Sequence, residues 1–365
     1  MTKAKYNLVS KNWRQKILVS RLILPVCFLA ACLMFGSPSL KAQPASPGKM
    51  SSEGLVRLRK TCKILFAQKD KAGAEKLVAA EIKKFPNDAR LYYQMALVKE
   101  EFRDPYGAMS ALDKAIECSP NYAEAYLLRA KGNFLLYELT DEQERERRGV
   151  KDLEKVFSIN PKMAEAYDYL GAYYASKDKM NEALNSFNKA ISINSKSAEF
   201  YKHRALVYNQ LERPRDALQD LTKATELDPL EYGLWMKLAE QANALGMYSQ
   251  AMQAINKATL LRPNNFDLIQ RRATINLKFH YYTEAIQDLD KLIKVSAQDD
   301  DLYRMRAQAY IGLKQYKNAL NDQNQAAKLN PTSFSNFAER AKTYRLLGDE
   351  KKAKQDENRS LSLQK

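Results

Sequence analysis

From about Leu55 to the end of the chain, apolar residues recur three and four places apart, the spacing that lays one apolar stripe along a helix. The stripes are organised by two columns of small residues. Ala74, Ala108, Gly149, Ala183, Ala217, Ala251, Ala285, Ala319 and Ala353 stand 34 apart, with one interval of 41. Cys62, Ala96, Ala130, Gly171, Ala205, Ala239, Ala273, Ala307 and Ala341 follow the same period with the same single lengthening. Pro86, Pro120, Pro161, Pro229, Pro263 and Pro331 keep that register too. A fourth column is large: Tyr92, Tyr126, Tyr167, Tyr201, Trp235, Tyr303 and Phe337, with Ile269 as its exception.

These columns predict a repeated unit of two amphipathic helices joined by a short turn. Small residues are needed where the two backbones approach closely, and large rings fill the space beside them. The proline cannot continue the second helix, so it ends one unit and opens the turn to the next. No single hairpin buries its apolar face, so neighbours have to stack.

Tyr201, Arg204-Ala205, Tyr208, Ala217, Leu221, Ala224 and Pro229 resemble the tetratricopeptide repeat almost position for position, and the stretch from Asp300 to Pro331 does so nearly as well. The resemblance implies an all-α fold, a right-handed superhelical solenoid of about nine helix-turn-helix hairpins, with the first helices lining its concave side. The expected units lie near 55–88, 89–122, 123–163, 164–197, 198–231, 232–265, 266–299, 300–333 and 334–365, preceded by a linker over 43–54. The first and last fit less well. In the last, Glu357 and Ser360 occupy places where apolar residues usually pack, which suits a solvent-facing terminal cap.

The lengthened interval falls between Ala130 and Gly149. Its run from Thr140 to Arg148 is highly charged and reads as a solvated helix extension laced with near-neighbour ion pairs; a partner-specific protrusion is the sharper alternative.

Composition supports stacked helices: 12 Gly, 12 Pro and no run of β-branched residues. The net charge is +16, but residues 1–42 hold seven Lys/Arg and no acid, so the remainder carries +9. Those first residues read as an address. A basic stretch from Lys3 to Arg21 precedes an uncharged one from Leu22 to Leu40. Three endings fit: cleavage after Ala42, lipidation at Cys32 in Leu29-Ala30-Ala31-Cys32, or retention as a membrane anchor. All three place the rest of the chain outside the cytoplasm: periplasmic, membrane-anchored or at the cell surface. In that compartment Cys62 and Cys118 are able to pair, but both stand at small apolar places, and free, buried thiols are expected.

No catalytic pattern is present. His203 and His280 lie in different units without ligand clusters, and no phosphate loop, nucleophile elbow or zinc-protease motif occurs. No cofactor and no metal are expected. The tyrosines belong to the repeat rather than to a stacking stripe, which speaks against a nucleic-acid partner. The expected function is therefore a scaffold that binds a protein or an extended peptide. An accessory subunit of an envelope-polymer enzyme, or of a secretion or pilus assembly, is the alternative; an enzyme in its own right is disfavoured by the missing catalytic pattern.

Two constellations stand out. Arg129, Arg204, Arg272, Arg306 and Arg340 share one column of the first helix, and the same five units carry Asp152, Asp220, Asp288, Asp322 and Asp356 on the second. Where the arginine is replaced by Met95, Leu170 or Leu238, the aspartate is replaced by Ala111, Ser186 or Ala254. This predicts a structural ion pair inside each of the five hairpins. Lys202, His203, Lys237, Arg271 and Arg304, with Asn209 and Asn243, form a basic, amide-rich strip on first helices, suited to an extended acidic segment. Glu199, Asp267 and Asp301 lie three or four places earlier and are equally able to neutralise it as ordinary helix pairs.

Overall fold

The structure, a computed structural model, describes residues 48–364. The reading of residues 1–42 as an export segment, with Cys32 and Ala42 as alternative endings, lies outside the described residues. Among them are eighteen α-helices and no strands. None of these helices is long and apolar enough to cross a membrane.

The chain divides after Asn194 into two compact units. The first holds four hairpins: α1 (Ser52–Ala67) with α2 (Lys71–Lys84), α3 (Ala89–Glu101) with α4 (Pro105–Cys118), α5 (Ala123–Thr140) with α6 (Gln143–Ile159), and α7 (Ala164–Ser176) with α8 (Met180–Ile193). The second holds five: α9 (Ala198–Gln210) with α10 (Pro214–Leu227), α11 (Tyr232–Ala244) with α12 (Tyr248–Leu261), α13 (Phe266–Lys278) with α14 (Tyr282–Val295), α15 (Asp300–Gly312) with α16 (Tyr316–Leu329), and α17 (Phe334–Leu346) with α18 (Glu350–Leu363). Helix α1 begins inside the stretch read as a linker, because the Ser51 hydroxyl caps it by accepting from the Gly54 N–H at 3.0 Å.

Within each unit the second helix of one hairpin packs on the first helix of the next. The core is accordingly a string of local clusters. One joins Cys62, Ala74 and Val78 to Leu91 and Val98 of the following hairpin, and another joins Ala239 and Ile255 to Leu268 and Ile275. All residues of both small columns are buried.

Two columns behave differently from the expectation. The rings are mostly half-buried rather than core: Tyr92, Tyr303 and Trp235 reach back and donate to the backbone carbonyls of Pro86, Ala297 and Pro229 at 3.0, 3.2 and 3.0 Å. They fasten the turn between hairpins, and Ile269, which has no donor, is the buried exception. The prolines are not what sets the bend. Asn194 and Ser296, followed by Ser195 and Ala297, adopt φ −136°, ψ 95° and φ −126°, ψ 59°, close to the φ −132°, ψ 81° of Asp228 before Pro229.

In the terminal hairpin Ser360 does not face solvent. It is buried and its hydroxyl donates to the Phe334 carbonyl at 3.0 Å, while Glu357 meets Arg345 at 2.6 Å.

The inserted residues lengthen both helices of the third hairpin. α5 has 18 residues and α6 has 17, against 13 and 14 in α9 and α10. On one side the extension carries the expected near-neighbour pairs, Arg145–Glu142 and Arg148–Glu144, both at 3.2 Å. On the other it is docked rather than solvated. Glu146 accepts from the Tyr173 hydroxyl at 3.0 Å and pairs with Lys177 at 2.5 Å, and Lys177 also donates to the Tyr137 hydroxyl at 3.3 Å. Burial, and then the bond to Glu146, push the Tyr173 hydroxyl above the usual phenol range. Glu146→Ala is expected to cost about 1–3 kcal/mol, because it strips the partly buried Tyr173 hydroxyl of its acceptor and leaves Lys177 with only the Tyr137 hydroxyl. Hydrogen exchange checks this: protection is expected to fall across α5, α6 and α7 but not α1 and α2.

Candidate functional site

The five arginines of the first helices and the five aspartates of the second meet in every case. Arg129 Nε and Nη2 lie 2.9 and 2.7 Å from Asp152, and Arg204 lies 2.8 and 2.7 Å from Asp220. Arg272–Asp288 and Arg306–Asp322 repeat the 2.8 and 2.7 Å fork, and Arg340–Asp356 closes at 2.7 and 2.8 Å. The carboxylates are buried, and four of the guanidinium groups, those of Arg129, Arg204, Arg306 and Arg340, lie against rings. Arg129 stacks over Tyr126 at 5.4 Å and Arg340 over Phe337 at 5.3 Å. Hydrogen bonding to Asp288 holds the Arg272 guanidinium above its ordinary range.

A third arm went unseen in the sequence. The remaining nitrogen, Nη1, reaches the preceding hairpin: Arg129 to Asp113 at 2.7 Å, Arg272 to Asn256 at 3.1 Å, Arg306 to Asp290 at 2.6 Å and Arg340 to Asn324 at 3.0 Å. The signal was legible, since each acceptor precedes its arginine by 16 residues, and Ala79, Glu154 and Thr222 stand there before Met95, Leu170 and Leu238. These arginines are therefore staples, both within a hairpin and between neighbours.

The basic strip lies wholly within the second unit. Its charges are largely countered where they stand. Lys202 pairs with Glu199, which also lies 3.5 Å from His203. Arg271 contacts Glu240 and lies 2.8 Å from Asp267, and Arg304 lies 2.5 Å from Asp301 and 3.9 Å from Glu339. Lys237 is on the same helix as Asn243, whose carbonyl accepts from Lys278 at 2.5 Å. Asn209 donates to Gln241 at 2.9 Å. Asn243 Oδ1, by contrast, is sheltered and finds no donor among the described residues. The strip is thus a mixed-charge surface with one unsatisfied amide acceptor.

Elsewhere, His280 sits in a turn with Nδ1 2.7 Å from the Tyr282 hydroxyl. No group of three or more His, Cys, Asp or Glu able to hold a metal occurs among the described residues. Cys62 and Cys118 are free thiols. Burial pushes the Cys62 thiol up, whereas Cys118 is only half-buried, its Sγ 3.9 Å from the Pro86 carbonyl, because it ends α4 where the chain turns outward. In the first unit, Glu100 reaches solvent yet is crowded by protein; that crowding pushes its carboxyl up to about 7, against the pull of Lys131. Two open depressions lie at turns, the larger about 590 Å³ around Arg262, Pro263 and Phe266.

Tetratricopeptide repeat family models match residues 164–197, 301–333 and 204–266. No curated protein matches. Among solved structures, MamA 41-end from Desulfovibrio magneticus RS-1 is 21% identical, covering 46% of this chain and 94% of its own, with a TM-score of 0.43. YrrB, described as a TPR protein with an unusual peptide-binding site, is 18% identical over 49% of this chain and 92% of its own, with a TM-score of 0.45. PilW, described as a type IV pilus biogenesis factor, is 16% identical over 59% of this chain and 96% of its own, with a TM-score of 0.48. The chain thus carries tetratricopeptide repeats, matched in both units and in register with columns that run through the flanking hairpins.

Proposed function

We propose that this protein is a non-catalytic scaffold of the cell envelope that holds an extended segment of a partner protein along the first helices of its second unit. The observation on which we rest the reading is Asn243: its sheltered amide oxygen has no donor among the described residues and is therefore able to accept a main-chain N–H supplied from outside. Asn209 and Gln241 beside it form an amide pair that fixes the local geometry. Since Lys202, Arg271 and Arg304 already have carboxylate partners, a partner of mixed charge fits better than a purely acidic one. It exchanges these pairs for its own instead of filling an empty basic groove. The envelope location rests on the amino-terminal sequence alone.

The test is capture of the native partner by mild crosslinking in membranes, followed by binding to purified variants. Asn243→Ala is expected to weaken binding about tenfold. The triple reversal of Lys237, Arg271 and Arg304 to Glu is expected to abolish capture while leaving helicity intact. Unchanged capture by both folded variants rules this face out, and turnover of a substrate by the purified protein alone removes the scaffold reading altogether.

A further inference from the structure

The outward rows of the second helices in the second unit carry an uncompensated positive charge. Residues 34 apart take equivalent places on α10, α12, α14, α16 and α18, so each column of the repeat is a row across five helices. Four successive rows, one helical turn apart, occupy a single face. One contains Lys223, Lys257, Lys291 and Arg359. The turn before it is all amide: Gln219, Gln253, Gln287, Asn321 and Gln355. Beyond these lie Arg215, Lys317 and Lys351 on one side and Lys294 and Lys328 on the other. Of the twenty positions nine are cationic and one, Glu226, is acidic; all but Gln325 are exposed.

The contrast with the first helices is in the pairing. Glu226 is taken by Lys223 at 2.9 Å, and Lys291 comes no closer than 3.9 Å to Asp288, which Arg272 already holds. Lys257, Lys294, Lys317 and Lys328 have no ion pair among the described residues. The flanking acids Asp216, Asp290 and Glu357 are each bound to an arginine; Glu284 is the exposed exception. Nothing in the fold explains this surplus, since surface lysines without partners add no stability.

The same helices end in exposed aliphatic residues. Leu260 near the end of α12 is 73% exposed, Val295 at the end of α14 is 60% exposed, and Leu230, just after α10, is 77% exposed. Lysines on a broad helical face, bordered by isolated large aliphatics, suit the boundary between headgroups and acyl chains, where the aliphatics sink in and the lysines remain with the phosphates. None of the twenty positions carries a ring on which a base could stack. We infer that the outer face of the second helices in the second unit docks on an anionic lipid surface. It lies on the opposite helix of each hairpin from the partner strip and stands independently of that reading.

The experiment is partition of the full-length protein onto vesicles of phosphatidylcholine alone and onto vesicles containing roughly a third phosphatidylglycerol. The basic amino terminus binds as well, so the comparison is between variants that share it. The wild type is expected to prefer the anionic vesicles by at least about tenfold, and to lose the preference as salt shortens the screening length from about 10 Å to about 3 Å. Replacing Lys257, Lys291, Lys294, Lys317 and Lys328 by Gln is expected to remove most of it. Replacing the exposed Lys60, Lys83, Lys114, Lys155 and Lys162 of the first unit, at equal change in net charge, is expected to leave most of it. Three outcomes overturn the inference: an undiminished preference in the first variant, an equal loss in both, or displacement from the vesicles by an RNA duplex whose own binding needs the same five lysines.

Discussion

Asp288→Ala is expected to lower the stability of its hairpin by about 3 kcal/mol, far more than loss of a surface pair. Asp288 is 3% exposed and accepts two hydrogen bonds from Arg272. Removing it strands a half-buried guanidinium that keeps only Asn256 as a polar contact within the staple, at 3.1 Å. The lower end of the usual range for broken buried pairs applies, because part of the guanidinium can turn to water. Arg272→Leu combined with Asp288→Ala copies the hairpin that has Leu238 and Ala254 in these places. That double variant is expected to recover most of the loss, since two apolar groups leave nothing unpaired. Hydrogen exchange resolved over α13 and α14 is the measurement, as repeat arrays need not unfold in two states. A single-variant cost below about 1 kcal/mol would place these pairs with ordinary surface bridges.

The second large effect runs against helix propensity. Gly171 lies inside α7, where alanine ordinarily gains about 1 kcal/mol. Here a Cβ would stand 2.8 to 2.9 Å from the ring of Phe187, which is 2% exposed and has nowhere to move. Gly171→Ala is therefore expected to destabilise by about 1–3 kcal/mol, by overpacking. Adding Phe187→Leu recreates the pairing of Ala205 with Leu221 in the next hairpin and is expected to restore much of the loss in thermal unfolding. Gly149 repeats the arrangement, its Cβ position 2.9 Å from the Phe134 ring. Both glycines answer a phenylalanine, not a need for flexibility.

The period, the two small columns and the arginine–aspartate pattern could be read from the sequence because a repeat samples the same environment many times. Substitutions that occur together at a fixed spacing then stand in for an alignment, as the joint loss of arginine and aspartate in three hairpins shows. The hairpin turns were harder to see. Each contains one residue in the left-handed region, but only Gly246 and Gly348 are glycines; Glu212, His280 and Lys314 accept φ of 56°, 66° and 59°. Packing of the two helices imposes that conformation and outweighs the roughly 1 kcal/mol of local preference against it.

The amino-acid sequence by itself determined that this chain folds into stacked α-helical hairpins of tetratricopeptide type, and which arginines and aspartates meet inside them. These are consequences of period and side-chain volume, which the chain carries locally. Tertiary structure alone decided which charges remain free. The first-helix cations sit beside carboxylates, some from adjacent hairpins, as Arg271 does with Glu240. It also decided that Glu146 docks onto Tyr173 and Lys177. Charge on a surface acts through what lies within a few ångströms, and those neighbours come from different hairpins, at separations that a single period does not encode.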